Sequence, residues 1–167
     1  KDTIKSLEKM NDQMEKEMLH LEKKLEQQLQ QWQPDQLKSV GSIKGIGKRA
    51  TAMLIVFTQG FKYTHSHRQL ISFAGLSPTE YSNGSSIQGK SRIYKRGGKN
   101  LRDVLYMCSM SAMKTNPACK ALYERLRANG KTGKQALIAV CNKLLKQVFA
   151  VVKNNSLYQP NYCSAKP

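Results

Sequence analysis

Apolar residues in the first part of the chain recur at alternating steps of three and four: Ile4, Leu7, Met14, Met18, Leu21, Leu25 and Trp32. That spacing draws one stripe along a helix, and no strong breaker interrupts it before Pro34. Written as heptads, Ile4, Asn11, Met18, Leu25 and Trp32 fall at a, and Leu7, Met14, Leu21 and Gln28 at d. This is a two-helix seam, with Asn11 the kind of polar a residue that fixes register. Glu8, Glu15 and Glu22 occupy e, and Glu17 at g would face Glu22 in a parallel homodimer. Charge therefore disfavours a simple parallel zipper and leaves strand orientation open.

After a break at Trp32–Lys38 the pattern predicts shorter helices. Gly45-Ile46-Gly47 sits between a short helical stretch and the run ATAMLIVF, an arrangement resembling a helix-hairpin-helix element. Its alternative is a tight connection between core helices, and Ile43, Ile46, Met53, Leu54, Val56 and Phe57 read as core either way. Further helices are expected over 68–76, 100–114, 118–128 and 132–154. The last, rich in Leu and Val on more than one face, reads as the central pillar. Residues 156–167, with Pro160 and Pro167, read as a loosely tied tail. The fold class expected is mostly α: a coiled-coil segment over 1–34, a helical domain over 35–155, and the tail.

One stretch does not fit a helix. Residues 76–102, LSPTEYSNGSSIQGKSRIYKRGGKNLR, carry five serines and four glycines, then Lys90, Arg92, Lys95, Arg96, Lys99 and Arg102. Tyr81-Ser82-Asn83-Gly84 is a turn signal. Hydroxyls on a turn beside clustered cations suit a phosphodiester, although serine is also an ordinary turn residue. No acid lies between Glu80 and Asp103 and no His follows His67, so no triad can be assembled. A serine nucleophile here would need activation from a metal or another domain. Lys99 and Arg102 stand in the first turn of a helix, the wrong sign for its dipole unless an anion lies between them.

Charge narrows the partner. Of 28 basic and 11 acidic residues, positions 1–33 hold six and seven, leaving 22 cations against four acids for the remainder. So basic a body calls for a polyanion, with nucleic acid foremost. At the GIG turn Lys44, Lys48 and Arg49 would contact a phosphate backbone without reading sequence. A membrane surface would need a basic amphipathic helix with exposed aromatics, which the pattern lacks. No run of eighteen apolar residues occurs, no signal segment precedes the first helix, and the chain starts without Met, as a fragment would. Cys108, Cys119, Cys141 and Cys163 lie far apart, so reduced thiols are expected.

The GIG turn, the AGLSP run (Ala74–Pro78), a serine ahead of a glycine (Ser82, Gly84) and KRGGKNLRDVL (Lys95–Leu105) together resemble the C-terminal transposase domain of the IS-one-ten, Piv-like, bridge-RNA-guided family of insertion-sequence recombinases. The likeness covers residues 39 to about 152. Family members usually have Ser and Gly adjacent; Asn83 intervenes here, and Ser82, which keeps the spacing to Pro78, is taken over Ser85. The resemblance implies a DNA recombinase in which this serine forms a covalent phosphoserine link to DNA. It also implies a guide RNA that pairs with donor and target, and dimers or tetramers built through the coiled coil. Four carboxylates of a RuvC-like domain, absent from this chain, would hold Mg²⁺, and the setting would be the cytoplasm of a prokaryotic cell. Ser82 is the expected catalytic residue, with Arg92, Lys95, Arg96, Lys99 and Arg102 around the phosphate. The competing reading is a non-catalytic nucleic-acid-binding and dimerisation module.

Overall fold

Among the described residues, seven helices carry the fold. The computed structural model describes residues 2–79, 82–83, 87–88, 92–93 and 97–160. Helix α1 spans Asp2–Trp32 and α2 Pro34–Gly41, so the expected break narrows to Gln33, with Pro34 opening α2 at a position where a missing N–H costs nothing. After the Gly45–Gly47 turn come α3 (Lys48–Phe57) and α4 (His67–Phe73), the latter capped by Ser66, whose side chain accepts from the Gln69 N–H. Helices α5 (Lys99–Thr115), α6 (Pro117–Ala128) and α7 (Gly133–Lys153) complete the bundle. Thr132 and Gln135 form a reciprocal capping box at the start of α7.

α7 is the pillar its composition predicts, packing against α2, α4, α5 and α6. Val140, Cys141, Leu144, Leu145 and Val148 are wholly enclosed, with Leu101, Leu105 and Ala112 of α5 opposite. By length and apolar content α7 is also the one described helix that could cross a membrane, and the other helices cover its buried face. α3 corrects an expectation. Its buried face is Ala50, Thr51, Ala52, Leu54 and Ile55, whereas Val56 and Phe57 stay exposed and Met53 is half-buried. Ala50, Thr51 and Ala52 join Leu54 and Ile55 on this face, so bulk alone does not separate its inner from its outer residues.

The stretch from 76 to 98 is not wholly irregular. Among its described residues β1 (Pro78–Thr79) pairs antiparallel with β4 (Arg92–Ile93), and β2 (Ser82–Asn83) pairs with β3 (Ile87–Gln88). The two ladders are nested like the stem and head of one hairpin. Ser82 and Asn83, expected within the turn itself, are instead paired backbone.

Two glycines let backbones meet. Gly45 has φ +99, and a Cβ there would lie 2.5 Å from the Cα of Ala112 on α5. A Cβ on Gly97 would lie 2.3 Å from both the Gly75 nitrogen and the Phe73 carbonyl oxygen. Gly47 faces open space at an ordinary φ of −84. The beginning of the tail is also tied down, against expectation. The Tyr158 N–H donates to Ser42 Oγ at 2.8 Å and its hydroxyl to Asn116 Oδ1 at 2.9 Å.

Gly45→Ala and Gly97→Ala should each lower the unfolding free energy by about 1–3 kcal/mol or more, because the colliding atoms are backbone. Gly47→Ala should change it far less; urea unfolding of the three variants checks the contrast. Burial also raises the Cys119 and Cys141 thiols from an ordinary 9.0 to about 11. The unfolded chain then sheds these protons at lower pH than the folded one. The associated stability is complete below pH 9 and lost as pH rises through about 11, which denaturant titrations across that range should register.

Candidate nucleic-acid interface

The hairpin rises from a neck made of residues 73–76 and 97–98. The Gly98 N–H donates to the Phe73 carbonyl at 3.4 Å, and Ala74, Leu76 and Leu101 are fully enclosed beneath it. From α5, Arg102 reaches under the neck and donates to the carbonyls of Ala74 (3.3 Å) and Gly97 (3.5 Å). From α7, Asn142 donates to the Leu76 carbonyl at 3.5 Å. These are long hydrogen bonds, yet they tie both strands of the neck to the two central helices. Arg102, expected beside a phosphate, thus has its guanidinium turned to the protein's own carbonyls.

Of the remaining loop residues, Ser82 and Arg92 lie on β2 and β4 by their backbone. Lys95, Arg96 and Ser85 fall outside the described residues. Lys99 opens α5, exposed, behind an N-cap (Gly98) that offers no side-chain acceptor. With no acid in that first turn, the free N–H groups of α5 and Lys99 share one positive end at the hairpin's base.

A second cationic point lies at the GIG turn. Lys44 is exposed, and its carbonyl accepts from Asn116 Nδ2 at 3.2 Å, which fixes the turn to the α5–α6 junction. Lys48 and Arg49 crowd the start of α3, where Gly47 supplies no capping side chain. Both are already paired: Lys48 Nζ sits 2.9 Å from Glu26 Oε1, and Arg49 3.8 Å from Glu22 Oε1, both partners on α1. The sequence reading missed this pairing. Its signal was the same spacing that defines α1, since residues 22, 26 and 29 share a helical face, and Leu29, the buried residue of α1, lies on it.

Comparison with known proteins gives this geometry a context. Residues 37–124, from within α2 to within α6, match the family described as Transposase IS116/IS110/IS902. The chain belongs to the IS116/IS110/IS902 transposase family. The neck, the hairpin and the GIG turn all lie inside the matched span. An IS110 insertion-element protein of 43.6 kDa from Streptomyces coelicolor is 31% identical over 118 residues, covering 71% of this chain and 29% of that protein. The pilin gene-inverting protein of Moraxella lacunata is 35% identical over 117 residues, 70% of this chain and 36% of its own length. The chain therefore spans about a third of the relatives it matches. Among the described residues of this family member, no three His, Cys, Asp or Glu side chains gather as a donor set. The Mg²⁺ implied by the resemblance finds no fitting donor set among them.

Any polyanion that docks at the start of α3 must compete with Glu22 and Glu26. Combining Glu22→Gln with Glu26→Gln should tighten the binding of a polyanion there, with a labelled DNA duplex as the probe, severalfold at low salt, since exposed ion pairs are worth roughly 0.2–1 kcal/mol each. The gain should shrink as salt rises, which fluorescence anisotropy at several salt concentrations measures.

Proposed function

We propose that this chain is the nucleophile-bearing part of an insertion-sequence DNA recombinase, with Ser82 as the attacking residue. The observation that carries the reading is the hairpin. Ser82 belongs by its backbone to the inner ladder, paired with Gln88, and the chain on the two sides of the hairpin meets in a neck pinned to α5 and α7. A nucleophile profits from such a mount, because holding reacting groups in place removes entropy from the barrier.

In the proposed step the Ser82 hydroxyl oxygen bonds to a DNA phosphorus and the bond from phosphorus to one deoxyribose oxygen breaks. The departing oxygen ends with a proton, and the hydroxyl has lost one. The phosphodiester energy is kept in the seryl ester, so a second strand end can later displace the serine. Arg92, Lys95, Arg96 and Lys99 would offset the charge on the phosphoryl oxygens. Arg102 would act from below, holding the neck. Lys44, Lys48 and Arg49 would grip DNA or RNA backbone at the GIG turn, away from the reacting phosphate.

Guide RNA, a RuvC-like domain holding Mg²⁺, and assembly into dimers or tetramers complete the proposal for the whole protein. The α1 stripe supports the assembly: Ile4, Leu7, Met14, Met18 and Leu21 are each about half exposed or more. Such a stripe suits a second helix better than water.

In the full-length protein Ser82→Ala should abolish the covalent DNA adduct and strand exchange while DNA binding persists with its steep salt dependence. Adducts trapped on denaturing gels provide the measurement. An adduct that survives the substitution overturns the assignment, and a wild-type protein that binds DNA without ever linking to it is a binding module.

A further inference from the structure

Ala118 of α6, the second half of α7 and residues 156–160, all but Ala118 outside the family-matched span, line an open groove of about 440 Å³. Ala150 and Val151 give it apolar lining, beside Gln147 and Asn154. Lys143 and Lys146, one helical turn apart, also line it, and no acidic residue does among the described residues. Leu157 projects at the lip, 63% exposed, with no part in the core.

The groove is a built feature. Its outer wall is fixed by Tyr158, whose backbone N–H and hydroxyl donate to Ser42 and Asn116. Asn116 is wholly buried and spends its amide on the Lys44 carbonyl and on Gln147 Oε1, at 3.2 and 3.0 Å. Gln147 in turn donates to the Tyr158 hydroxyl at 3.4 Å. One polar network therefore holds the wall in place and joins it to the GIG turn carrying Lys44.

We infer that this groove binds single-stranded nucleic acid, with one base against Ala150, Val151 and Leu157 and the adjoining phosphates on Lys143 and Lys146. A cleft with apolar lining, two lysines and no acid among its described residues complements a flat ring bearing phosphate on either side. Duplex bases are stacked and hide their faces, so only an unpaired base can enter. The inference rests on the proposed function only in taking nucleic acid as the partner; it does not involve Ser82.

The test uses full-length protein and an oligouridine of about ten nucleotides carrying 5-iodouridine. Irradiation should cross-link it within residues 147–160, as read by mass spectrometry of the peptides. Lys143→Ala with Lys146→Ala should weaken oligouridine binding about tenfold and flatten the logarithmic salt dependence by about 1.4, for two lost phosphate contacts on a single strand. Lys131→Ala with Lys134→Ala removes the same charge from exposed positions elsewhere and should do much less. Leu157→Ala, at a side chain outside the core, should weaken binding without altering the salt dependence. Equal losses from the two lysine pairs, cross-links confined to other regions, or equally effective competition by polyglutamate would each overturn the inference. Covalent adduct formation at Ser82, scored in the same preparations, separates the two readings: a failed groove leaves the adduct intact, and a failed nucleophile leaves the groove.

Discussion

Two strands of backbone touch at the neck with no side chain between them, and the hairpin's position depends on that contact. Gly97 comes so close to Phe73, Ala74 and Gly75 that a single methyl group would collide with main-chain atoms. Main chain cannot swing aside as a side chain can, so the approach fixes where the two arms leave the bundle. The enclosure of Ala74, Leu76 and Leu101 follows from the same contact. Arg102 and Asn142 then carry that constraint into α5 and α7, the best-packed helices of the molecule. A loop built largely of serine, glycine and cations has little apolar surface of its own to bury. Its order at the base is borrowed from the helices.

The same economy recurs at the GIG turn. Gly45 lets the turn lie against α5, which is the structural role of a tight connection between core helices. Gly47, two residues on, remains open. One motif thus divides its labour: the first glycine answers to packing and the second leaves the amide end of α3 accessible. Asn116 joins the two parts by capping α6 with its oxygen and holding the Lys44 carbonyl with its nitrogen.

The helical architecture was largely legible in the sequence. Apolar spacing located the long first helix and the helices after residue 98, because local periodicity survives whatever packs against it. What failed was contact information. Val56 and Phe57 read as core because they are large, yet α3 turns Leu54 and Ile55 inward with Ala50, Thr51 and Ala52 and leaves those two outside. Lys48 meets Glu26 across 22 residues and Arg102 reaches Ala74 across 28, so the spacing that puts the glutamates of α1 on one face does not by itself say which cations they meet. Tyr158 looked like part of a loose tail, since its anchor on Ser42 is 116 residues distant. The proposal of Ser82 as nucleophile, with cations around a phosphate, rests on family resemblance and composition, and the described geometry supplies only its place in a paired strand.

Helix α1 has two faces of different use along one rigid rod. Leu29, Glu22 and Glu26 seat its C-terminal third on the bundle, while the apolar stripe of its earlier turns looks elsewhere. Over 31 residues such a rod reaches roughly 46 Å, and each residue advances its facing by about 100°. The azimuth at which the stripe presents itself is therefore locked to the seat by residue count. One residue gained or lost between Leu21 and Glu22 would swing the whole stripe through more than a quarter turn while every side chain in it stayed the same.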